Sequence, residues 1–375
     1  MKGRWKQLIT IYLTLAAGLL VLVKGADIMI SAASRIAKIL KVPDFVVGLF
    51  IVAMGTSAPE AAIGIFSGIQ GTNLLTLGDV MGSSIVNITV ILGLTALIFP
   101  IEVDSRVPRR ELLLSVLIQT VLAIMIVTSG TLSRLESAIL LAGMFLFVGY
   151  IAVKTNQASE HEKPDTVFED DVFEYLEDQE VLVETSDDVP EEVRVPEEIR
   201  VAEEVRVPEE IRVPEQAEEE KAESMKKQAV LFFLGLAGLV GGAIFAVNSA
   251  VKIAHSLGWS EEFIGLTVIA FGTSLPELVA CLVAALKKKE DIAVGNIIGS
   301  NILNILFVLG VSGLLHPIRV AGPDIFFDML AMIGASVLLM VPTYLYGKVS
   351  KRTGFVFISY YIIYMAIKVS RYLTP

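Results

Sequence analysis

The sequence predicts an all-α polytopic membrane protein: ten transmembrane helices in two inverted five-helix repeats, with helices 2 and 7 interrupted at the membrane midplane. Three observations carry this. The 375 residues are 54% hydrophobic and only 19% charged, with a mean hydropathy of +0.68, whereas a soluble domain carries about 25% charge. The chain matches itself, because a shift of 217 residues lays 25–103 on 242–320 without a gap. Loops made equivalent by that match carry different charge.

The first helix follows a basic start, "MKGRWK". A signal peptide would end in a small-residue cleavage site and release a soluble chain. Further apolar spans follow instead. Apolar stretches near the ~20 residues needed to cross a bilayer fall at 7–30, 46–68, 74–98, 111–129, 135–154, 228–252, 263–285, 291–315, 323–346 and 354–371. The first repeat is therefore 1–154 and the second 227–375. Their most similar parts are about 46–98 and 263–315.

Between them, 155–226 is acidic and of low complexity. Within 159–224 there are 26 Asp and Glu against 6 Lys and Arg, and the hexapeptide "VPEEVR" recurs with small changes. High charge, low hydrophobicity and regular proline predict an extended or disordered linker. It lacks the Asp/Gly loop of a calcium-binding hand, so a solvated connector is favoured over an ion sensor.

Charge sets the orientation. With ten alternating helices, 15 Lys and Arg outside the acidic segment fall on the side reached after helix 1, and 8 on the opposite side. The positive-inside rule makes the richer side cytoplasmic. Both termini are then outside and the acidic linker is cytoplasmic. An odd number of helices per repeat turns the second copy upside down. The loops agree: "GIQGTN" after helix 2 has no basic residue, whereas its counterpart "ALKKKED" has three. Inverted repeats with broken helices are the pattern of secondary transporters, which bind substrate at the midplane.

Two motifs occur once in each repeat. "GTSAPE" (55–60) returns as "GTSLPE" (272–277), and "GDVMGSSIVN" (78–87) as "GNIIGSNILN" (295–304). Pro59 and Pro276 lack an N–H and clash with the carbonyl four residues back. Each helix should open around Gly-Thr-Ser, making the carbonyls of Ala53, Gly55, Thr56, Ala270, Gly272 and Thr273 available. Open backbone at membrane depth is tolerated only where it lines a cavity. Glu60 and Glu277 are costly in that setting and would repel each other across the midplane. A divalent cation relieves both problems, and carboxylates with carbonyls and hydroxyls form the hard oxygen site that Ca2+ prefers. No histidine or cysteine lies nearby to favour a softer metal.

Ser83 and Asn87 share one helical face, as do Ser300 and Asn304. They read as further neutral ligands, or as interhelical hydrogen-bond glue. Asp79 breaks the symmetry, since its counterpart is Asn296. The single cysteine, Cys281, and the scattered His161, His255 and His316 form no metal pattern. No nucleophile–base pair or cofactor motif suggests an enzyme, and the expected partners are lipid and small cations, not nucleic acid.

"AMGTSAPE…GDVMGSSIVN" and "AFGTSLPE…GNIIGSNILN" resemble the two α-repeats of the cation/Ca2+ antiporter superfamily, in its sodium/calcium exchanger branch. The resemblance covers nearly the whole chain outside the linker. It implies Na+-driven Ca2+ antiport by alternating access, with Ca2+ and Na+ as transported ions and no cofactor. It further implies that Ca2+ is held by Glu60, Glu277 and the carbonyls of Thr56 and Thr273. Na+ would be held by the carbonyls of Ala53 and Ala270, the hydroxyls of Ser57, Ser83, Ser274 and Ser300, and shared oxygens of Glu60 and Glu277. Asn87 would lie at the centre, opposite Asn304. Potassium-dependent members carry Asp at the position of Asn304, so Asn here argues against K+ coupling. Two alternatives remain at this stage: an H+/Ca2+ antiporter of the same superfamily, whose motif differs, and an uncoupled cation channel.

Overall fold

The computed structural model describes residues 2–71, 74–102, 108–161, 215–257, 270–320 and 323–373. The predicted linker conformation lies mostly outside these residues, as does the start of helix 7. Among the described residues, eight helices are long and apolar enough to cross a membrane, and a ninth span is the bent pair Asp44–Thr56 and Ala58–Gln70.

Helix 1 is α1 (Lys2–Leu40). Helix 2 begins as α2 (Asp44–Val47), passes through a π-helical turn at Gly48–Val52 into α3 (Ala53–Thr56), and resumes as α4 (Ala58–Gln70). Helix 3 is α5 (Leu74–Val86), a π-helical stretch at Asn87–Leu92 and α6 (Gly93–Ile98). A short strand, β1 (Ile101–Glu102), precedes α7 (Pro108–Ser129), and β2 (Thr131–Leu132) precedes α8 (Arg134–His161).

The second repeat copies this plan. α9 (Glu215–Ser256) is helix 6, and α10 (Ala270–Thr273) with α11 (Leu275–Leu286) is the described part of helix 7. Helix 8 is α12 (Glu290–Leu303), a π-helical stretch at Asn304–Leu309 and α13 (Gly310–Leu315). Then come β3 (Ile318–Arg319), α14 (Pro323–Tyr346), β4 (Lys348–Val349) and α15 (Lys351–Leu373). The π stretches of helices 3 and 8, the helices that follow them and all four strands fall at positions 217 apart. So do Gly130 and Gly347, which make the same left-handed turn with φ of 64° and 63°.

The strands report the inversion. β1 pairs with β4, and β2 with β3, both antiparallel. The loop after helix 3 therefore lies on the same face as the loop after helix 9. Five long described spans separate those two loops, so the broken helix 7 must complete the sixth crossing. The repeats are related by a pseudo-two-fold axis that passes between counterpart residues. Gln119 donates to the hydroxyl of Ser336, 217 positions away, at 2.8 Å. Asn301 donates to the backbone carbonyl of Ser84, again 217 away, at 3.4 Å.

Burial ranks the helices. Within their spans helix 3 is 78% buried and helix 8 is 94% buried, whereas every other full span is less than half buried. The outer helices expose Leu20, Phe145, Leu146, Phe233, Leu330 and Phe355, which suits a face solvated by lipid chains. Helices 1 and 6 cross in backbone contact. A Cβ on Gly25 would stand 2.2 Å from the amide nitrogen of Leu239, and one on Gly242 would stand 2.4 Å from that of Leu22. The central pair is as tight: a Cβ on Gly299 would meet the carbonyl oxygen of Leu49 at 2.1 Å. Small residues bring helix backbones this close in membranes.

Several helices outrun their predicted spans. α8 continues to His161 and α9 starts at Glu215, because Glu, Ala, Gln and Lys outside the apolar stretch are good helix formers. Hydropathy marks where lipid ends, and the helix continues into water.

Candidate functional site

The chain breaks at the predicted places. Ser57 has φ −84° and ψ 11°, and its counterpart Ser274 has φ −85° and ψ 5°. Neither ψ is helical. The two arms of helix 2 meet at an angle of 50°. α4 and α11 restart with proline in the first two positions, where the missing N–H costs no hydrogen bond. Glu60 and Glu277 consequently sit in the first turn of a new helix. The partial positive charge of a helix N-terminus stabilises a carboxylate there. Proline thus both opens the backbone and supplies a counter-dipole for the acid that follows it.

One expected carbonyl is not released. Ala53 O accepts the N–H of Ser57 at 2.9 Å, because the chain leaves helical geometry only after the Ser57 nitrogen. The Thr56 hydroxyl also lies within hydrogen-bond distance of that oxygen, at 3.4 Å, so a cation at Ala53 would take the place of that contact.

The side chains converge across the two repeats. Glu60 and Glu277 are each 1% exposed, and Ser57, Ser83, Asn87, Ser274, Ser300 and Asn304 are all buried. Ser57 Oγ donates to Glu277 Oε1 at 3.1 Å. Asn304 Nδ2 donates to Ser83 Oγ at 3.3 Å. Asn87 Nδ2 donates to Asn301 Oδ1 at 3.0 Å, and Thr56 Oγ1 donates to Asn296 Oδ1 at 3.0 Å. Each of these bonds joins one repeat to the other.

What remains unsatisfied is informative. Glu60 Oε2, Glu277 Oε2, Asn87 Oδ1, Asn304 Oδ1, Ser274 Oγ and Ser300 Oγ are buried with no hydrogen-bond partner among the described residues. Buried polar atoms are nearly always paired, and leaving one unpaired costs about 1–3 kcal/mol, more for a charge. Six such oxygens on helices 2, 3, 7 and 8, two of them carboxylate, form a set suited to a hard cation. Asp79 Oδ2 on helix 3 is likewise buried without a hydrogen-bond partner among the described residues, so these helices bring a third carboxylate besides the two glutamates.

The sequence reading missed Asn296 and Asn301 as members of this network. Asn301 stands opposite Ser84 in the repeat, and that departure from symmetry is the signal that would have found it. It also read Lys287–Lys289 only as a topology signal. Lys287 pairs with Asp27 at 2.7 Å and Lys289 with Asp44 at 3.0 Å, so the end of α11 is tied to α1 and α2. Between them Lys288 takes a left-handed φ of 54°, where the first repeat has Gly71 at 72°. These pairs are partly exposed, so each contributes at most about 1 kcal/mol.

The chain matches known proteins over most of its length. The model of the family described as sodium/calcium exchanger protein matches residues 10–153 and 227–370, one match on each side of the acidic segment. The chain is 34% identical to the putative antiporter CaxA of Alkalimonas amylolytica, over 89% of this chain and 90% of that protein. It is 32% identical to the sodium/calcium exchanger MaX1 of Methanosarcina acetivorans, over 95% and 97%. Its fold superposes on the sodium-calcium exchanger NCX_Mj with a TM-score of 0.71 at 27% identity, covering 96% of this chain and 99% of that one.

Proposed function

The chain belongs to the sodium/calcium exchanger protein family, and on that premise we propose that it exchanges Na+ for Ca2+ across the cell membrane by alternating access, driven by the sodium gradient. The observation that carries the reading is the set of unpartnered oxygens around Glu60 and Glu277. Ca2+ is held by both glutamates with the carbonyls of Thr56 and Thr273. Na+ is held by the carbonyls of Ala53 and Ala270, by Ser57, Ser83, Ser274 and Ser300, by Asn87 and Asn304, and by oxygens of the same glutamates.

Coupling follows from charge. Two buried carboxylates without a counter-ion are strongly destabilised, since the desolvation cost of each is several kcal/mol. One Ca2+ neutralises them, and so do two Na+. Because both ions need the same glutamate oxygens, they compete, and the carrier crosses only when loaded. The membrane-facing charge pattern supports external termini and a cytoplasmic acidic linker.

Vesicles loaded with Na+ and diluted into Na+-free medium with 45Ca2+ test this. Uptake is expected with internal Na+ and not with internal choline. Uptake that ignores Na+ and follows an imposed pH gradient would replace this reading with H+/Ca2+ antiport. Flux that needs no counter-ion would make the protein a channel.

A further inference from the structure

We infer that Asn301 is a positioning residue that makes the two halves of the cation site unequal, by drawing the Asn87 amide away from Ser300; this rests on the ion-site reading above. A backbone carbonyl can only accept, so the bond from Asn301 to Ser84 O at 3.4 Å must be given by the Asn301 amide nitrogen. That leaves Oδ1 as the end of Asn301 facing Asn87. Asn87 must therefore donate Nδ2 to it, as it does at 3.0 Å. The orientation of Asn87 is set in turn, and its own Oδ1 is left buried without a partner among the described residues. A two-residue relay anchored on backbone thus selects one of two amide orientations that differ little in shape.

The opposite half lacks this relay. Ser84 occupies the position equivalent to Asn301, and its hydroxyl turns back to Val80 O on its own helix at 2.7 Å. Asn304, the counterpart of Asn87, therefore reaches Ser83 at 3.3 Å. In the second half Asn301 draws the Asn87 amide away, and Ser300, the counterpart of Ser83, keeps an unpartnered hydroxyl. Asn304 also keeps an unpartnered Oδ1 among the described residues, so the two halves differ by one free acceptor, the hydroxyl of Ser300. It belongs to the proposed Na+ set and not to the Ca2+ set. Asn301 then governs how strongly Na+ competes.

The Asn301→Ser substitution gives the second half the residue type of the first. The measurement is 45Ca2+/Ca2+ self-exchange in vesicles, with Na+ added as inhibitor, which reports folded protein and Na+ binding together. The half-inhibiting Na+ concentration should rise about tenfold, the scale of one lost charge-assisted contact, and should rise more than the Ca2+ half-saturation. In a double-mutant cycle, N301S should add little to N87A, because the first residue acts through the second. Additive effects, or a Ca2+ shift as large as the Na+ shift, would overturn the assignment and leave a packing role. Wild-type self-exchange insensitive to Na+ would overturn the sodium reading itself, and this inference with it, before any variant is made.

Discussion

The hydroxyl of Ser57 donates to the carboxylate of Glu277 at 3.1 Å, so the broken helix of one repeat is bonded to the acid of the other. The mirror contact is not made in the same way, since Ser274 Oγ has no partner among the described residues. A hydroxyl can donate to a carboxylate and still offer its lone pairs to a cation. Ser57 is thus placed to share an ion with Glu277. Ser57→Ala should weaken cation half-saturation about five- to tenfold, as expected for one buried hydrogen bond to a charge. The effect of Ser274→Ala should fall on Na+ alone. Half-saturation constants from vesicle flux, measured for each ion, check both.

Glu60→Gln and Glu277→Gln keep the shape of the side chain and remove its charge. Either should abolish Ca2+ exchange, because a divalent ion facing one carboxylate is left with an uncompensated buried charge. The purified variants should still unfold cooperatively. Retained exchange in either variant would reject the site.

The glycine contacts separate packing from chemistry within one helix. Gly242 lies in backbone contact with α1, whereas a Cβ on Gly241 meets nothing within 4 Å. Gly242→Ala should lower the unfolding temperature in detergent, since backbone on both helices must shift. Gly241→Ala should be neutral or raise it, by the roughly 0.5–1 kcal/mol that alanine gains over glycine inside a helix. Equal effects would mean the helices do not cross at Gly242.

Strand pairing gives a topology test. Cys281 is the sole cysteine and is buried, so single cysteines elsewhere can be labelled cleanly. Cysteines placed at Glu102 and Lys348, which are paired, should react with an impermeant maleimide only from the cytoplasmic side. Cysteines at Thr131 and Arg319, also paired, should react only from outside. Paired positions that label from opposite sides would contradict the inverted arrangement.

Much of this was legible because duplication makes each motif its own control. Pro59 and Glu60 alone could be a kink and a stray acid, but Pro276 and Glu277 repeat them 217 residues on, and both helices do break at the serine two residues before the proline. The helix ends were not legible, because hydropathy is blind to polar residues that continue a helix into water, as at Glu215 and His161. Nor were the π-helical stretches at Asn87 and Asn304, since nothing in local composition separates an i→i+5 turn from an α turn. The roles of Asn296 and Asn301 stayed hidden for a different reason. They face the other repeat, and which counterpart they meet depends on where the pseudo-two-fold axis runs.

The central claim is that one pair of glutamates serves both ions. Equilibrium binding of 45Ca2+ to the purified protein, titrated with Na+ at constant ionic strength, tests it most directly. Na+ should displace Ca2+ competitively and with a steep dependence on concentration, and E60Q and E277Q should lose the bound Ca2+. Ca2+ binding that Na+ leaves unchanged would contradict the account.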